Sequence, residues 1–308
     1  MFREIWEITK ETGADWVDDN ASRLAAALAY YALLSLAPLL VIGVAVSGFV
    51  FGPDAARGRV SDELGAFVGS RAAEGIEAVL QSAHSPESGL ISTVVGVITL
   101  FIGASGVFGE LQASLNTVWE VQPQPGRGIW GQVKTRFFSF TMVLGVAFLL
   151  LISLMVSAVL SAIGGYFSGL LPGGEVLWQA FNFVFSLAVV SALFAVIFKY
   201  VPDAEVRWRD VWLGGVVTAV LFSIGKFLLG LYLGKAAVGS AYGAAGSVIA
   251  LVVWVYYASQ IFLLGAEFTQ VQARRSGREI RPARGAVSTR PTTAAPSDAP
   301  AGVVSHGV

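Results

Sequence analysis

Residues 212–234 read WLGGVVTAVLFSIGKFLLGLYLG, with Lys226 as their one charged side chain. As a helix rising about 1.5 Å per residue, the stretch is about 34 Å long. That is enough to cross the ~30 Å hydrocarbon core of a bilayer. Five further segments read the same way: 24–51, 90–108, 137–163, 178–200 and 247–271. Composition agrees. Of 308 residues, 55% are hydrophobic and 13% charged, about half the charge of a soluble domain. The segments lack the ten-residue alternation of an outer-membrane barrel. Lipid offers no partner for an open backbone. The expected fold is therefore all-α, a polytopic transmembrane bundle of six spans.

Lys and Arg set the expected orientation. With the N-terminus in the cytoplasm, fifteen fall on the cytoplasmic side and four outside (Arg57, Arg59, Arg71 and Lys235), Lys226 being within a span. This is a positive-inside bias, and it puts both termini in the cytoplasm. The expected organisation is an amphipathic cytoplasmic segment 1–23, a transmembrane domain 24–271 and a disordered cytoplasmic tail 272–308. Phe2, Ile5, Trp6, Trp16 and Val17 suggest a first helix lying in the membrane plane. The start is acidic and lacks a basic n-region, so the first span is expected to serve as its own insertion signal. The outside loop 53–89 carries apolar residues at helical spacing; it is read as a surface helix or a gate over an outward cavity. The tail is rich in Arg, Pro, Ser, Thr and Ala. It has too little apolar surface to fold, and its arginines are placed to meet anionic headgroups.

Few polar groups enter the spans, which makes them informative. Tyr30, Tyr31 and Ser35 lie in the first span, and Pro38 is expected to kink it. Glu110, Gln112 and Asn116 follow the second span; Asn182 lies in the fourth; Gln260 and Glu267 lie in the sixth. Glu110 and Glu267 are each about 30 Å from the outer end of their helices. They read as hydrated helix-end carboxylates or as acids lining a cytoplasmic mouth. Lys226 is about 12 Å below the outer end of its span. It either snorkels to the headgroups or faces an outward cavity. Glycine, 35 residues in all, clusters at 103–109 and at Gly230/Gly234 and Gly239/Gly243, suiting close helix packing or hinges.

Catalytic constellations are missing. There is no cysteine, and the two histidines, His84 and His306, fall on opposite sides of the expected membrane. No metal ligand set, phosphate loop or nucleophile elbow is legible. The expectation is a protein without catalytic, cofactor or metal residues, and not an enzyme.

Several stretches together resemble the YihY/BrkB family of bacterial membrane proteins. They are AAALAYYALLSLAPLL (25–40), GASGVFGELQASLNTVWEV (103–121), YVPDAEVRWRDVWLGGVVTAVLF (200–222), GKFLLGLYL (225–233) and SAYGAAGSVIALVVWVYYASQIFLLGAEFTQ (240–270). The resemblance covers about residues 20–272. It implies a multi-pass protein of the bacterial cytoplasmic membrane. Some members of that family are linked to serum resistance, others to envelope lipid or lipopolysaccharide export. The family has also carried a ribonuclease label, which this sequence opposes: a nuclease needs metal ligands and a basic RNA surface. Net charge is −1. The expected function is a transporter or a lipid- or amphiphile-translocating protein. The alternative is a structural or regulatory protein of envelope biogenesis. A lipid-modifying enzyme would need a catalytic group that is not found. Membrane lipids are the expected partners, nucleic acid is excluded, and self-association into a homo-oligomer stays open.

Overall fold

The structure is a computed structural model. It describes residues 2–51, 105–125, 174–235, 246–278 and 280–289, with side chains for 3–36, 105–125, 179–231, 248–278 and 280–289. Helix α1 spans Phe2–Asp18 and α2 spans Ala21–Phe51. Helix α3 runs through 105–118 and leads into β1, Val121–Pro123. Helix α4 (Gly174–Tyr200) is followed by β2 (Ala204–Glu205) and α5 (Trp208–Lys235). Helix α6 (Gly246–Arg275) precedes β3 (Arg281–Pro282) and β4 (Ala286–Ser288).

Among the described residues, three helices are long and apolar enough to cross a membrane: Gln179–Tyr200, Trp208–Leu231 and Val248–Arg275. They match the fourth, fifth and sixth expected spans. Helix α2 matches the first. The span at 137–163, the loop 53–89 and most of the span at 90–108 lie outside the described residues. Only 17% of the apolar window of α4 is buried, and 28% of that of α5. Phe183 and Phe227 are 63% and 66% exposed. Aromatic side chains turned outward in such numbers suit a lipid surround, where hydrophobicity no longer drives side chains inward.

What holds α5 between its neighbours is small-residue packing. Gly215 lies against the Ser191 carbonyl of α4, which an added side-chain carbon would meet at 2.5 Å. On the next face, Gly214 receives Thr269 of α6, and Gly265 of α6 receives Thr218 of α5. The contact is reciprocal. Each helix offers a Gly-x-x-x-Thr, and each threonine fills the space over the other helix's glycine. Each hydroxyl also donates back to its own helix, Thr218 to the Gly214 carbonyl at 2.6 Å and Thr269 to that of Gly265 at 2.7 Å. Neither of these two hydroxyls is left bare in the apolar interior. At Gly230, expected to serve close packing, an added side-chain carbon would meet nothing within 4 Å among the described residues. Gly234, Gly239 and Gly243 lie beyond the described side chains.

Among the described residues, a buried core lies at one end of the bundle. There the start of α2, the end of α3, the end of α4, the start of α5 and the end of α6 share a core of Ala21, Leu115, Phe198, Val211, Leu263 and neighbours. Phe198 stacks obliquely on Phe262 and Trp119, with ring centres 5.2 and 5.9 Å apart.

The disordered tail expected from residue 272 is corrected up to residue 289. Helix α6 continues to Arg275. Gly277, at φ +66, then stops it: Arg278 N donates to Ala273 O and Gly277 N to Arg274 O, the paired bonds that close a helix on a left-handed residue. Beyond it, β3 pairs antiparallel with β2 (Ala204↔Pro282) and β4 with β1 (Val121↔Ser288, Pro123↔Ala286). The two small sheets also qualify the all-α expectation. Backbone pairing, together with Ile280 packed against the core, orders this segment, so composition gave little sign of it.

The reciprocal packing predicts an asymmetry between glycines. Gly265→Leu should destabilise detergent-purified protein by about 1–3 kcal/mol through overpacking, read as a lower thermal unfolding midpoint. Gly230→Leu should stay within about 0.5 kcal/mol. Equal shifts for the two would contradict the packing described.

Candidate functional site

Helix α6 carries Gln260, Glu267, Gln270 and Arg274 at spacings that bring them onto one face. Glu267 lies between Gly265 and Thr269, the two residues seated against α5. Two residues along a helix turn the side chain well away from that contact. Glu267 therefore points towards the elbow between α1 and α2. It is fully buried, at 0% exposure. Among the described residues no donor reaches either carboxylate oxygen, and the Oε1 atoms of Gln260 and Gln270 are likewise buried without one.

The elbow supplies an acid instead. Helix α1 ends at Asp18 and α2 begins at Ala21; between them Asn20 takes a left-handed conformation, φ 53, which Asn tolerates better than most residues. This turn brings the Asp19 carboxyl beside that of Glu267. A second left-handed residue, Glu120 at φ 53, ends the α3 segment nearby. Its carbonyl accepts from Thr289 N at 2.9 Å, so the strand pairing of the C-terminal segment holds it in place. Asp15 completes the acidic surround.

Basic residues fasten α1 over this cluster. Arg275 grips Glu11 with two bonds, Nε to Oε2 at 2.6 Å and Nη2 to Oε1 at 2.8 Å, and reaches Glu7 at 3.4 Å. Arg274 Nη2 donates to Asp15 Oδ2 at 2.8 Å. Glu7, Glu11 and Asp15 repeat every four residues, so they form one stripe down α1. The Arg275 hydrogen bond holds the Glu11 carboxyl below its usual range. Asp19 goes the other way. Burial first, then the Glu120 and Asp15 charges, push it up to about 6.

The other residues singled out from sequence have varied surroundings. Asn116 is buried and clamps the turn after α4: its Nδ2 donates to Asp203 Oδ2 at 3.0 Å, and Asp203 N donates to its Oδ1 at 2.8 Å. Ser35 is buried and donates to Ala32 O at 3.0 Å. Tyr30 is exposed, edge-on to Tyr31, whose ring lies against Gly106. Pro38 lies within α2, outside the described side chains. Glu110, Gln112 and Asn182 are half-buried. The acids acting on Glu267 are Asp19, Asp15 and Glu120, not Glu110, and Glu267 is not hydrated at a helix end. Lys226 is exposed at the mouth of a small cleft between α5 and α6, lined by Phe222, Leu229, Trp254, Tyr257, Ala258 and Ile261. Among the described residues no cluster of three or more His, Asp or Glu could hold a metal ion.

Asp19, Glu120 and the arginine clamp were not legible from sequence. Two signals bore on them: Asp-Asp-Asn (18–20) as a turn after an acidic helix, and the seven-residue spacing of Gln260, Glu267 and Arg274.

A carboxyl raised in the folded state contributes no penalty below its unfolded value of 3.8. The penalty grows as pH rises to about 6 and is complete above it. Asp19→Asn should therefore match the unsubstituted protein in thermal stability at pH 3 and exceed it at pH 7.5. Equal stability at both pH values would overturn this assignment.

The sequence profile of the family described as "Virulence factor BrkB" matches residues 13–289. The match takes in α1 from Gly13 and both small sheets, a wider range than the 20–272 read from motifs. A UPF0761 membrane protein of Verminephrobacter eiseniae is 30% identical over 275 residues, covering 87% of this chain and 63% of that protein. One of Pseudomonas aeruginosa is 30% identical over 275 residues, covering 86% and 62%. One of Rhodospirillum centenum is 29% identical over 258 residues, covering 82% and 54%. The chain thus spans less than two thirds of the length of these relatives. No solved structure matches it. With a profile matching nearly the whole described fold and relatives that are themselves membrane proteins, the chain belongs to the BrkB virulence factor family of membrane proteins.

Proposed function

We propose that this protein is a multi-pass protein of the bacterial cytoplasmic membrane, both termini cytoplasmic, that translocates a lipid or another amphiphile without covalent chemistry. The observation that carries the reading is Glu267: a fully buried carboxyl near the cytoplasmic end of an apolar span, flanked along one helix face by the buried amide oxygens of Gln260 and Gln270. Ionisable groups buried within spans are costly and mark substrate or ion pathways. A protein serving only as a scaffold gains nothing from a buried carboxyl and two amide oxygens that find no donor among the described residues.

Further features support it. The excess of Lys and Arg on one side orients the bundle with the α1 end in the cytoplasm. Ile5, Trp6 and Val17 are exposed on α1, suiting a helix seated among inner headgroups. Arg281 and Arg284 lie on the ordered segment after α6, and basic residues following a span are suited to anionic headgroups. At the other end, Lys226 and its aromatic cleft offer a cation and an apolar wall to an anionic headgroup.

Reconstitution into vesicles tests the proposal. The expected result is movement of fluorescent phospholipids or amphiphilic anions faster than in empty vesicles. Glu267→Gln should reduce it at least tenfold while leaving the protein folded. Inactivity across a broad lipid and solute panel would favour the structural or regulatory alternative.

A further inference from the structure

We infer that Asp19 and Glu267 form a proton-binding site, in which two carboxyl groups share one proton and its release loosens the seat of α1 on α6. The inference deepens the translocation reading and rests on it for its purpose, not for its chemistry.

The argument begins with donors. Ionised carboxylates only accept hydrogen bonds. Two of them in contact repel, and neither can satisfy the other. Glu267 is fully buried, and among the described residues no N–H or O–H reaches its oxygens. Its contact is another carboxyl, Asp19. A proton placed between the two turns repulsion into a charge-assisted hydrogen bond, the short strong kind. One carboxylic acid then donates to one carboxylate, and the pair carries a single negative charge. Losing that proton to water leaves two carboxylates in contact.

Among the described residues, the charges acting on the pair are acidic. From α1 the pair meets Asp15 and Asp18, and from the turn after α3 it meets Glu120. The charged groups of the other packed elements are engaged elsewhere. Arg274 of α6 is held by Asp15. At the start of α5, Asp210 is bonded by Arg278, and in the turn before it Asp203 is bonded by Asn116. Lys199 at the end of α4 donates to the Val206 carbonyl. Arg23 of α2 is exposed. A metal ion would need a third ligand in suitable geometry, and no such group exists among the described residues. The proton is the ligand that fits two carboxyls alone.

Release has a mechanical outlet. Asp19 sits on the elbow joining α1 to α2, pivoting on the left-handed Asn20. Glu267 sits on α6, wedged by the crossing with α5. Repulsion between them pushes the elbow outward against the pull of Arg274 and Arg275 on α1. The two terms oppose each other on one short helix, which lets one proton tip the balance.

Infrared spectroscopy of the purified full chain in detergent reads the proton with no transported substrate present. At pH 7 the unsubstituted protein should show a carboxylic C=O band from a protonated side chain. Glu267→Gln should abolish it, whereas Glu110→Gln should leave it intact. If Glu267→Gln fails to fold, Asp19→Asn serves: the band should be lost or displaced as its partner changes from carboxylate to amide. In parallel, amide protection across residues 2–18, after correction for the intrinsic pH dependence of exchange, should fall on the order of tenfold between pH 7 and pH 9, and that fall should be absent in Asp19→Asn. A missing band at pH 7, or a band untouched by all these substitutions, overturns the shared proton. Because the measurement involves no flux, that failure leaves amphiphile translocation standing. An inactive protein in vesicles that still shows the band removes translocation and leaves the proton site.

Discussion

The crossing of α5 and α6 governs the rest. Two helices cannot approach this closely unless their contact residues are nearly without side chains, and here Gly214 and Gly265 provide that on facing sides. Within lipid, hydrophobic burial does not favour one helix orientation over another; close packing does. With Thr269 over Gly214 and Thr218 over Gly265, the rotation of α6 about its axis has no freedom left. Glu267 is two residues from Gly265 and two from Thr269. The same contact that locks α6 to α5 therefore turns the carboxyl to the opposite side, under the elbow of α1 and α2.

At that elbow, attraction and repulsion meet within one helix. The stripe Glu7, Glu11 and Asp15 draws α1 onto Arg274 and Arg275. Each pair is at least partly exposed, and such pairs contribute only ~0–1 kcal/mol singly. Their number and the bidentate grip of Arg275 give them weight together. Beneath them lie Asp19, Glu120 and Glu267; burial and the Glu120 charge disfavour ionisation of Asp19. The C-terminal segment steadies both sides: Arg278 holds the start of α5 through Asp210, and Thr289 holds the Glu120 carbonyl. A segment of low-complexity appearance thus frames the polar end of the bundle.

Much of the bundle was legible because lipid imposes simple rules. Length and apolarity alone place α2, α4, α5 and α6 within a few residues of the expected spans. Glu267, Gln260 and Asn116 stood out as polar groups where polar groups are costly. Their partners did not. Asp19 is remote from Glu267 in sequence, and an aspartate just before a span looks like any solvated helix end. Asn116 reads as an interfacial residue until the turn at Asp203 folds back on it. The Gly-x-x-x-Thr pair was hidden among 35 glycines, while the Gly-x-x-x-Gly at 230–234 attracted notice; only the three-dimensional crossing distinguishes Gly265 from Gly230. The ordering of residues 280–289 was invisible for a related reason. Strand pairing with β1 and β2 is a property of where other elements end, not of local composition.

The absence of cysteine from the chain permits a direct measurement of the contact on which this account rests. Asp19→Cys and Glu267→Cys, introduced together, place thiols at the two carboxyl positions; Glu4→Cys with Glu267→Cys places the first thiol about 22 Å farther along α1. A short bifunctional thiol reagent applied to native membranes should join 19 to 267 within one chain and leave 4 and 267 unjoined. Failure to link 19 to 267, or equal linking of both pairs, would contradict the seating of the α1–α2 elbow on Glu267.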